Sequence, residues 1–380
     1  MNPQPTVVNP GGTRRVVVTK ELPGTHWQEI LAAADCRIEI APGTEILPKS
    51  AILDLIGERC DGAIGQLTEA WDDDLFSALK AAGGTAYSNY AVGYNNVDVG
   101  AATARGIPVG NTPGVLTETT AELAIALTFA ASRRIVEADR FMRSGQFTGW
   151  LPTLFMGALF NRKTVGILGA GRIGSAYARM MVEGHKMNLV YYDVHPNEAL
   201  ESYIADYSAL LEKHGEEPLS CRRVASVEEV LRTADVVSIH TVFDESTRHL
   251  VNAERLAMMK PDAILVNSAR GPIIDEAALV EHLKTHPDFR VGLDVFENEP
   301  EMAPGLAEQD NAVIVPHIAS ATVWTRQGMA SLAAANVAAI LQGYPVWNRP
   351  DIHPFLEGTP PKAAPSIVNA TELNLPLFEA

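Results

Sequence analysis

Three short apolar runs in the second half of the chain are each followed by a residue able to take part in ionic or proton-transfer chemistry. Arg270 follows Val266-Asn267-Ser268-Ala269, Glu297 and Glu299 follow Leu293-Asp294-Val295-Phe296, and His317 follows Val315-Pro316. An arginine can grip a carboxylate through paired, charge-assisted hydrogen bonds and polarise a neighbouring carbonyl. A histidine can give or take a proton near neutral pH, and a carboxylate beside it favours the protonated imidazole. Placed together next to a hydride source, the three could reduce a 2-oxo acid. Each also has a plainer reading. The chain holds ten histidines, Arg270 could form a surface ion pair, and the acids could be a solvated loop.

A hydride source has its own signature upstream. Residues 165–168 are an apolar run that reads as a buried strand. Gly169, Gly171 and Gly174 then follow in the spacing G-x-G-x-x-G, and residues 173–181 are apolar at helical spacing. Strand, glycine turn and helix are the context the dinucleotide fingerprint requires. Gly169 permits a tight turn, Gly171 lets a pyrophosphate approach the backbone, and Gly174 lets helix and strand pack closely. The helix N-terminus offers free N–H groups and a positive dipole end to phosphate. A second apolar run, 189–192, ends at Asp193, 19 positions beyond Gly174. An acid there accepts hydrogen bonds from ribose hydroxyls and repels a 2′-phosphate, and no arginine stands in residues 194–197 to receive one.

The elements needed to carry these groups are legible as parallel α/β patterning. Residues 236–239, 263–266, 291–293 and 313–315 are continuous apolar runs, as strands buried on both faces should be. Residues 196–223 hold an amphipathic piece, 200–211, read as an inserted surface helix. Earlier strand candidates are 16–18, 37–40, 62–67, 86–90 and 107–109, with a helix at 27–34. The polar loop 92–98 follows one of them and is either a ligand loop or an ordinary turn. Thr119 and Glu122 fit a capping box opening a buried helix over 121–133. A second apolar helix, 324–341, closes at Gly343 before a proline-rich, irregular tail. Between fingerprint and first helix, residues 135–160 carry Trp150, Leu151 and Phe155 with no strand partner, which suggests either a subunit contact or a loop folded back on its own domain.

Bulk properties narrow the function. A formal net charge of −16 argues against nucleic-acid or anionic-membrane partners. Three scattered cysteines give neither a disulfide framework nor a thiolate metal site, and no metal is expected. No apolar run reaches the roughly 18 residues of a membrane span.

The fingerprint with Asp193, Asn267-Ser268-Ala269-Arg270-Gly271, Asp294 through Pro300, and Pro316-His317-Ile318-Ala319-Ser320 carry a resemblance. The chain resembles the D-isomer-specific 2-hydroxyacid dehydrogenases along nearly its whole length. The resemblance implies two doubly wound, parallel-sheet α/β domains. A Rossmann NAD-binding domain, 135–321, is inserted in a flavodoxin-like substrate-binding domain made of 1–134 and 322–380. It makes Arg270, Glu299 and His317 catalytic, with the N–H groups of Val92 and Gly93 binding the substrate's carboxylate. Beyond the three glycines, NAD contacts fall on Arg172, Ile173, Asp193, Thr241, Ser268, Ala269 and Asp294. Many members have glycine where this chain has Ala319.

Within the family the chain is most similar to a plant-type, NADH-dependent, photorespiratory branch. Residues 111–123, 169–184 and the 200–211 insertion carry that likeness. It implies reduction of hydroxypyruvate to D-glycerate, with glyoxylate to glycolate as a side activity. It also implies a homodimer in which the 135–160 arm clasps a second subunit and Trp150 reaches the neighbour's substrate pocket. Such plant enzymes usually end in S-K-L and this chain ends in Phe378-Glu379-Ala380, while residues 1–20 carry no acid, so organelle and cytoplasm both stay open. Alternatives are a glyoxylate-preferring reductase, another D-2-hydroxyacid dehydrogenase, or an NAD-sensing, corepressor-like binding protein. Formate dehydrogenases have glutamine where Glu299 stands.

Overall fold

Short runs of β-branched and other apolar residues set two sheets, and the chain visits the first sheet, builds the second, and returns. The computed structural model describes residues 4–379. It divides into one unit of Met1–Leu116 with Ala321–Ala380 and another of Thr117–Ser320.

The first unit holds β1 (Thr6–Val8), β2 (Arg14–Val18), β3 (Cys36–Ile40), β4 (Gly62–Gly65), β5 (Ala86–Asn89) and β6 (Val109–Gly110), in the order β1-β3-β2-β4-β5-β6. All pairs are parallel except β1 with β3, an antiparallel edge that the sequence pattern did not predict. Helix Val323–Leu341 is buried along most of its length, its alanines, Gly328 and Ser331 leaving room for close packing. It ends as expected at Gly343, φ +73°, where Tyr344 N–H reaches Ala339 O (2.9 Å) and Gly343 N–H reaches Ile340 O (3.0 Å). The tail beyond is irregular but pinned: Val368 N–H donates to Val109 O at 2.8 Å.

The second unit holds β7 (Thr164–Leu168), β8 (Asn188–Tyr192), β9 (Cys221–Arg223), β10 (Val236–Ile239), β11 (Ile264–Asn267), β12 (Arg290–Leu293) and β13 (Ala312–Ile314). The order is β13-β12-β11-β10-β7-β8-β9, all parallel. The direction of winding reverses between β7 and β10, the switch point where such sheets bind ligands. One apolar cluster joins Leu127, Val165, Tyr177, Leu189 and Val266 on one face of the sheet. Another joins Val230, Val237, Leu265, Leu279 and Val291 on the other. Helix Thr117–Ser132 belongs to the first cluster through Ala121, Ala124, Leu127 and Ala131. The unit therefore begins ahead of the boundary expected near residue 135. The helix also starts at Thr117, which puts Thr119 inside it rather than at a capping position. The three cysteines are free. No helix among the described residues is long and apolar enough to cross a membrane.

Gly174 sits in the first turn of helix Arg172–His185, against the end of β7. A Cβ there would stand 2.0 Å from the carbonyl oxygen of Gly169, a backbone atom that cannot yield cheaply. Gly174→Ala is therefore expected to cost about 1–3 kcal/mol of stability by overpacking. A thermal melt of the variant would check it, and an unchanged midpoint would show that the turn can relax.

Candidate active site

The site grows from strand register. Tyr192 is level with Leu168, Leu168 with Ile239, Ile239 with Asn267, Asn267 with Leu293, and Leu293 with Ile314. Six neighbouring strands thus end flush, and the residues that follow them share one edge of the sheet. That row contains Asp193, Gly169, Thr241, Ser268, Asp294 and, three residues past β13, His317.

The glycine turn has the geometry a nucleotide needs. Gly169 has φ +93°, and a Cβ on it would lie 2.6 Å from the Thr241 nitrogen, so the turn runs hard against the end of β10. Gly171 is different: a Cβ there would meet nothing within 4 Å. It opens a cradle at the start of the helix, where the N–H groups of Arg172 and Ile173 have no acceptor in a preceding turn. Ser268, just past β11, has its hydroxyl buried with no hydrogen-bond partner among the described residues. An open cradle and an orphaned buried hydroxyl along one strand edge fit a dinucleotide. Asp193 closes the turn from below, its Oδ2 accepting from Ala170 N–H at 2.8 Å and its Oδ1 from His195 N–H at 3.0 Å.

Two residues near this turn escaped the sequence analysis. Asn197 donates from its side chain to Ala170 O at 2.7 Å and to Ser175 Oγ at 3.0 Å, while its own Oδ1 caps the next helix. Arg223 arrives from β9 and donates through Nη2 to the carbonyls of Asp193 (2.9 Å) and Val194 (3.2 Å). The segment after Asp193 lacks an arginine, but the fold supplies one. Nothing local marks it, because the edge strand that carries it, Cys221–Arg223, is polar.

Arg270, Glu299 and His317 stand beyond β11, β12 and β13. His317 Nδ1 and Glu299 Oε2 are 2.9 Å apart, and Glu299 Oε1 accepts from Phe296 N–H at 3.0 Å. Desolvation pushes the Glu299 carboxyl up. The His317 hydrogen bond and charge, the Phe296 N–H and the charge of Arg270 outweigh it and hold the group below its ordinary value. Burial pulls the Arg270 guanidinium down, against the charge of Glu299, and one of its nitrogens donates to Ala269 O at 2.7 Å. Asp294 is wholly buried. Its Oδ1 accepts from Ile318 N–H (2.6 Å), its Oδ2 from Ala319 N–H (2.9 Å), and its carbonyl from His317 N–H (2.9 Å). Those bonds hold His317 in a left-handed conformation, φ +52°. Ala319 has no positive φ, so this backbone does not demand glycine there.

Val92 and Gly93 lie in the first unit, in a loop built by side-chain amides. Asn89 donates to Gly93 O (3.0 Å), Asn111 to Val92 O (2.8 Å), and Asn96 to Gln66 O and Glu69 O. The carbonyls are thereby consumed, while the two N–H groups have no acceptor among the described residues. Trp150, in the second unit, is 81% exposed.

Residues 125–319 match the D-isomer specific 2-hydroxyacid dehydrogenase NAD-binding domain. The chain is 61% identical over 375 residues to the peroxisomal glycerate dehydrogenase HPR of Arabidopsis thaliana, covering 98% of this chain and 97% of that one. It is equally similar, 61% over 371 residues and 97% of each chain, to the glycerate dehydrogenase of Cucumis sativus. Among solved structures it is similar to a glyoxylate reductase from Paecilomyces thermophila, with 29% identity, a TM-score of 0.73, and 87% of this chain and 95% of that one covered. A flush-ended parallel sheet with this glycine turn, and sequence identity along nearly the entire chain, settle the lineage: the protein belongs to the D-isomer-specific 2-hydroxyacid dehydrogenase family.

Proposed function

We propose that the protein is an NADH-dependent hydroxypyruvate reductase, forming D-glycerate, with reduction of glyoxylate to glycolate as a lesser activity. The observation that carries this reading is the Glu299–His317 pair at 2.9 Å, with Arg270 beside it, on the edge that holds the nucleotide turn. Relatives named glycerate dehydrogenase support the choice of substrate, and those named glyoxylate reductase support the side activity.

Each residue then has a chemical task. Bound NADH supplies the hydride. Gly171, Arg172 and Ile173 offer the pyrophosphate N–H groups and the positive end of a helix. Gly169, Gly174 and Thr241 shape that turn, and Asp193 takes the adenosine ribose hydroxyls. Ser268, Ala269 and Asp294 line the nicotinamide side. The N–H groups of Val92 and Gly93 bind the substrate's carboxylate, and Arg270 grips it and polarises the ketone. His317 has Nδ1 engaged by Glu299, which leaves Nε2 to give a proton to the carbonyl oxygen. Glu299, held below its ordinary value and so ionised, fixes the ring through Nδ1 with Nε2 free for that transfer. Residues 117–320 serve as the NAD-binding domain and the remainder as the substrate-binding domain.

The protein acts as a homodimer in this reading. Helix Ile135–Arg143 has no buried residue, and Met142, Trp150, Leu151, Met156 and Leu159 are all exposed. So much apolar surface on one arm calls for a partner, and a second copy supplies it, with Trp150 reaching the neighbour's substrate.

Steady-state oxidation of NADH with hydroxypyruvate, glyoxylate and pyruvate tests the assignment against an NAD-sensing binding protein, which would bind the cofactor without turnover. Four outcomes are expected. The parent prefers NADH to NADPH, and Asp193→Ala narrows that gap, with Arg223 at hand for the 2′-phosphate; equal efficiencies in the parent would remove Asp193 from this role. His317→Ala lowers the reductive rate by roughly 10² to 10⁴ while leaving NADH binding intact. Glu299→Gln takes away the ionised partner of the His317 ring, so the pH profile of the reductive rate departs from the parent's. A variant profile that overlays the parent's would deny Glu299 that electrostatic part. In sedimentation the parent runs as a dimer, and Trp150→Ala raises the KM for hydroxypyruvate with little change for NADH; a fully active monomer would end the subunit proposal.

A further inference from the structure

The loop that carries Glu299 carries a second acid, and that acid has its own histidine. Glu297 Oε1 and His249 Nε2 are 2.6 Å apart. We infer that His249 and Glu297 are positioning residues: their hydrogen bond fixes the loop after β12 so that Glu299 meets His317. The inference rests on the proposed catalytic reading and adds two residues that the reading does not use.

The loop is fixed by packing at its start and by polar bonds beyond it. Its peptide at Phe296–Glu297 lies directly on Gly271, the residue after Arg270. A Cβ on Gly271 would fall 1.9 Å from the Phe296 carbonyl carbon and oxygen. Burial of Val295 and Phe296 holds the start of the loop, and polar bonds hold the stretch from Glu297 onward. Those bonds come from two places. Helix Glu276–Thr285 engages both ends of the loop: Glu276 N–H donates to Glu297 Oε2 at 3.3 Å, and the Glu276 carboxylate accepts from Ala303 N–H at 2.9 Å. His249 supplies the shorter bond, and it is itself anchored. It has φ +50°, and its N–H donates to Pro272 O at 2.8 Å, one residue past Gly271. The clasp therefore ties the loop to the segment that bears Arg270.

Charge gives the clasp its purpose. Three carboxylates, Glu276, Glu297 and Glu299, crowd this loop and the helix start. Burial holds the Glu276 carboxyl above its ordinary value, and the charges of Glu297 and Glu299 add to that. The groups facing them are His249, Arg270 and His317, with the buried Asp294 carboxyl also within reach of Glu299 and His317. Without His249, Glu297 keeps only a 3.3 Å bond to a backbone N–H and repels its neighbours, and Glu299, two residues away, moves with it. A half-exposed ion pair that did nothing but decorate the surface would contribute little when removed.

The test uses full-length protein and the variants His249→Leu, His249→Gln, Glu297→Gln and Glu299→Gln. His249→Leu is expected to lower kcat with hydroxypyruvate by about tenfold, with little further loss when combined with Glu299→Gln, since both break one contact. Its pH profile moves the same way as that of Glu299→Gln, while the Kd for NADH from fluorescence titration stays within twofold. His249→Gln, which keeps an amide donor at similar reach, restores most of the rate, and Glu297→Gln falls between. The inference is overturned if His249→Leu matches the parent in kcat and pH profile. It is equally overturned if its loss is additive with that of Glu299→Gln, leaves the pH profile unmoved and is not rescued by glutamine, for that is general destabilisation. The imidazole nitrogen resonances of His317 read the same contact without turnover: they shift in both His249→Leu and Glu297→Gln if the clasp holds Glu299, and stay fixed if it does not. A parent that oxidises no NADH with any 2-oxo acid would instead sink the functional reading, and the resonances would still decide the clasp.

Discussion

Flush register in a parallel sheet is the constraint on which the rest of this site depends. Leu168, Tyr192, Ile239, Asn267, Leu293 and Ile314 end their strands level with one another. Parallel pairing means that every strand points its carboxyl end at the same edge, and the crossover helices return the chain to the other. A slip of one residue in any pair would turn each following side chain to the opposite face. Buried apolar side chains on both faces of the sheet make that slip expensive, so the polar row beyond the strands is fixed by an apolar core it never touches.

Register alone delivers side chains to an edge; buried backbone contacts set them to within hydrogen-bonding distance. Asp294 shows how. A carboxyl with no exposed surface is disfavoured as an ion, and desolvation does raise it above its ordinary value in spite of two N–H donors. Those donors, Ile318 and Ala319, follow His317 directly, so the same bonds that satisfy the acid hold the imidazole's backbone in a left-handed turn. Gly174 and Gly271 do the complementary thing, by leaving out a Cβ. One allows helix Arg172–His185 onto the Gly169 carbonyl, the other allows the Glu299 loop onto the Arg270 segment.

The sequence displayed the parts of this plan that local pattern encodes. Central strands such as Val236–Ile239 are continuous apolar runs, and the glycine turn with Asp193 has a spacing with few other meanings. Arg270 and His317 stood out because each follows such a run. What stayed hidden was long-range or polar. The edge strand Cys221–Arg223 has one apolar residue in three, so it gave no strand signal, and its Arg223 went unnoticed. The His249–Glu297 contact spans 48 positions and depends on how two loops cross. Thr119 with Glu122 looked like a helix start because that spacing fits a capping box, yet the helix begins at Thr117. Burial of Ala121, Ala124, Leu127 and Ala131 against the sheet supports the helix instead, and packing outranks a capping motif.

Arg223 also changes how cofactor choice should be understood. The role we propose for Asp193 is to accept the ribose hydroxyls and repel a 2′-phosphate. Its two oxygens also hold Ala170 and His195, so the carboxylate is a structural member of the glycine turn. Arg223, meanwhile, spends its guanidinium on the carbonyls of Asp193 and Val194. In that position it steadies the turn. In the function we propose, discrimination is the difference between a fixed anion and a neighbouring cation already occupied with backbone. Removing the anion alone would leave the cation competent to attract phosphate but would also loosen the turn that both cofactors share. The gain for NADPH and the loss for NADH thus have one structural origin, and neither can be read from Asp193 in isolation.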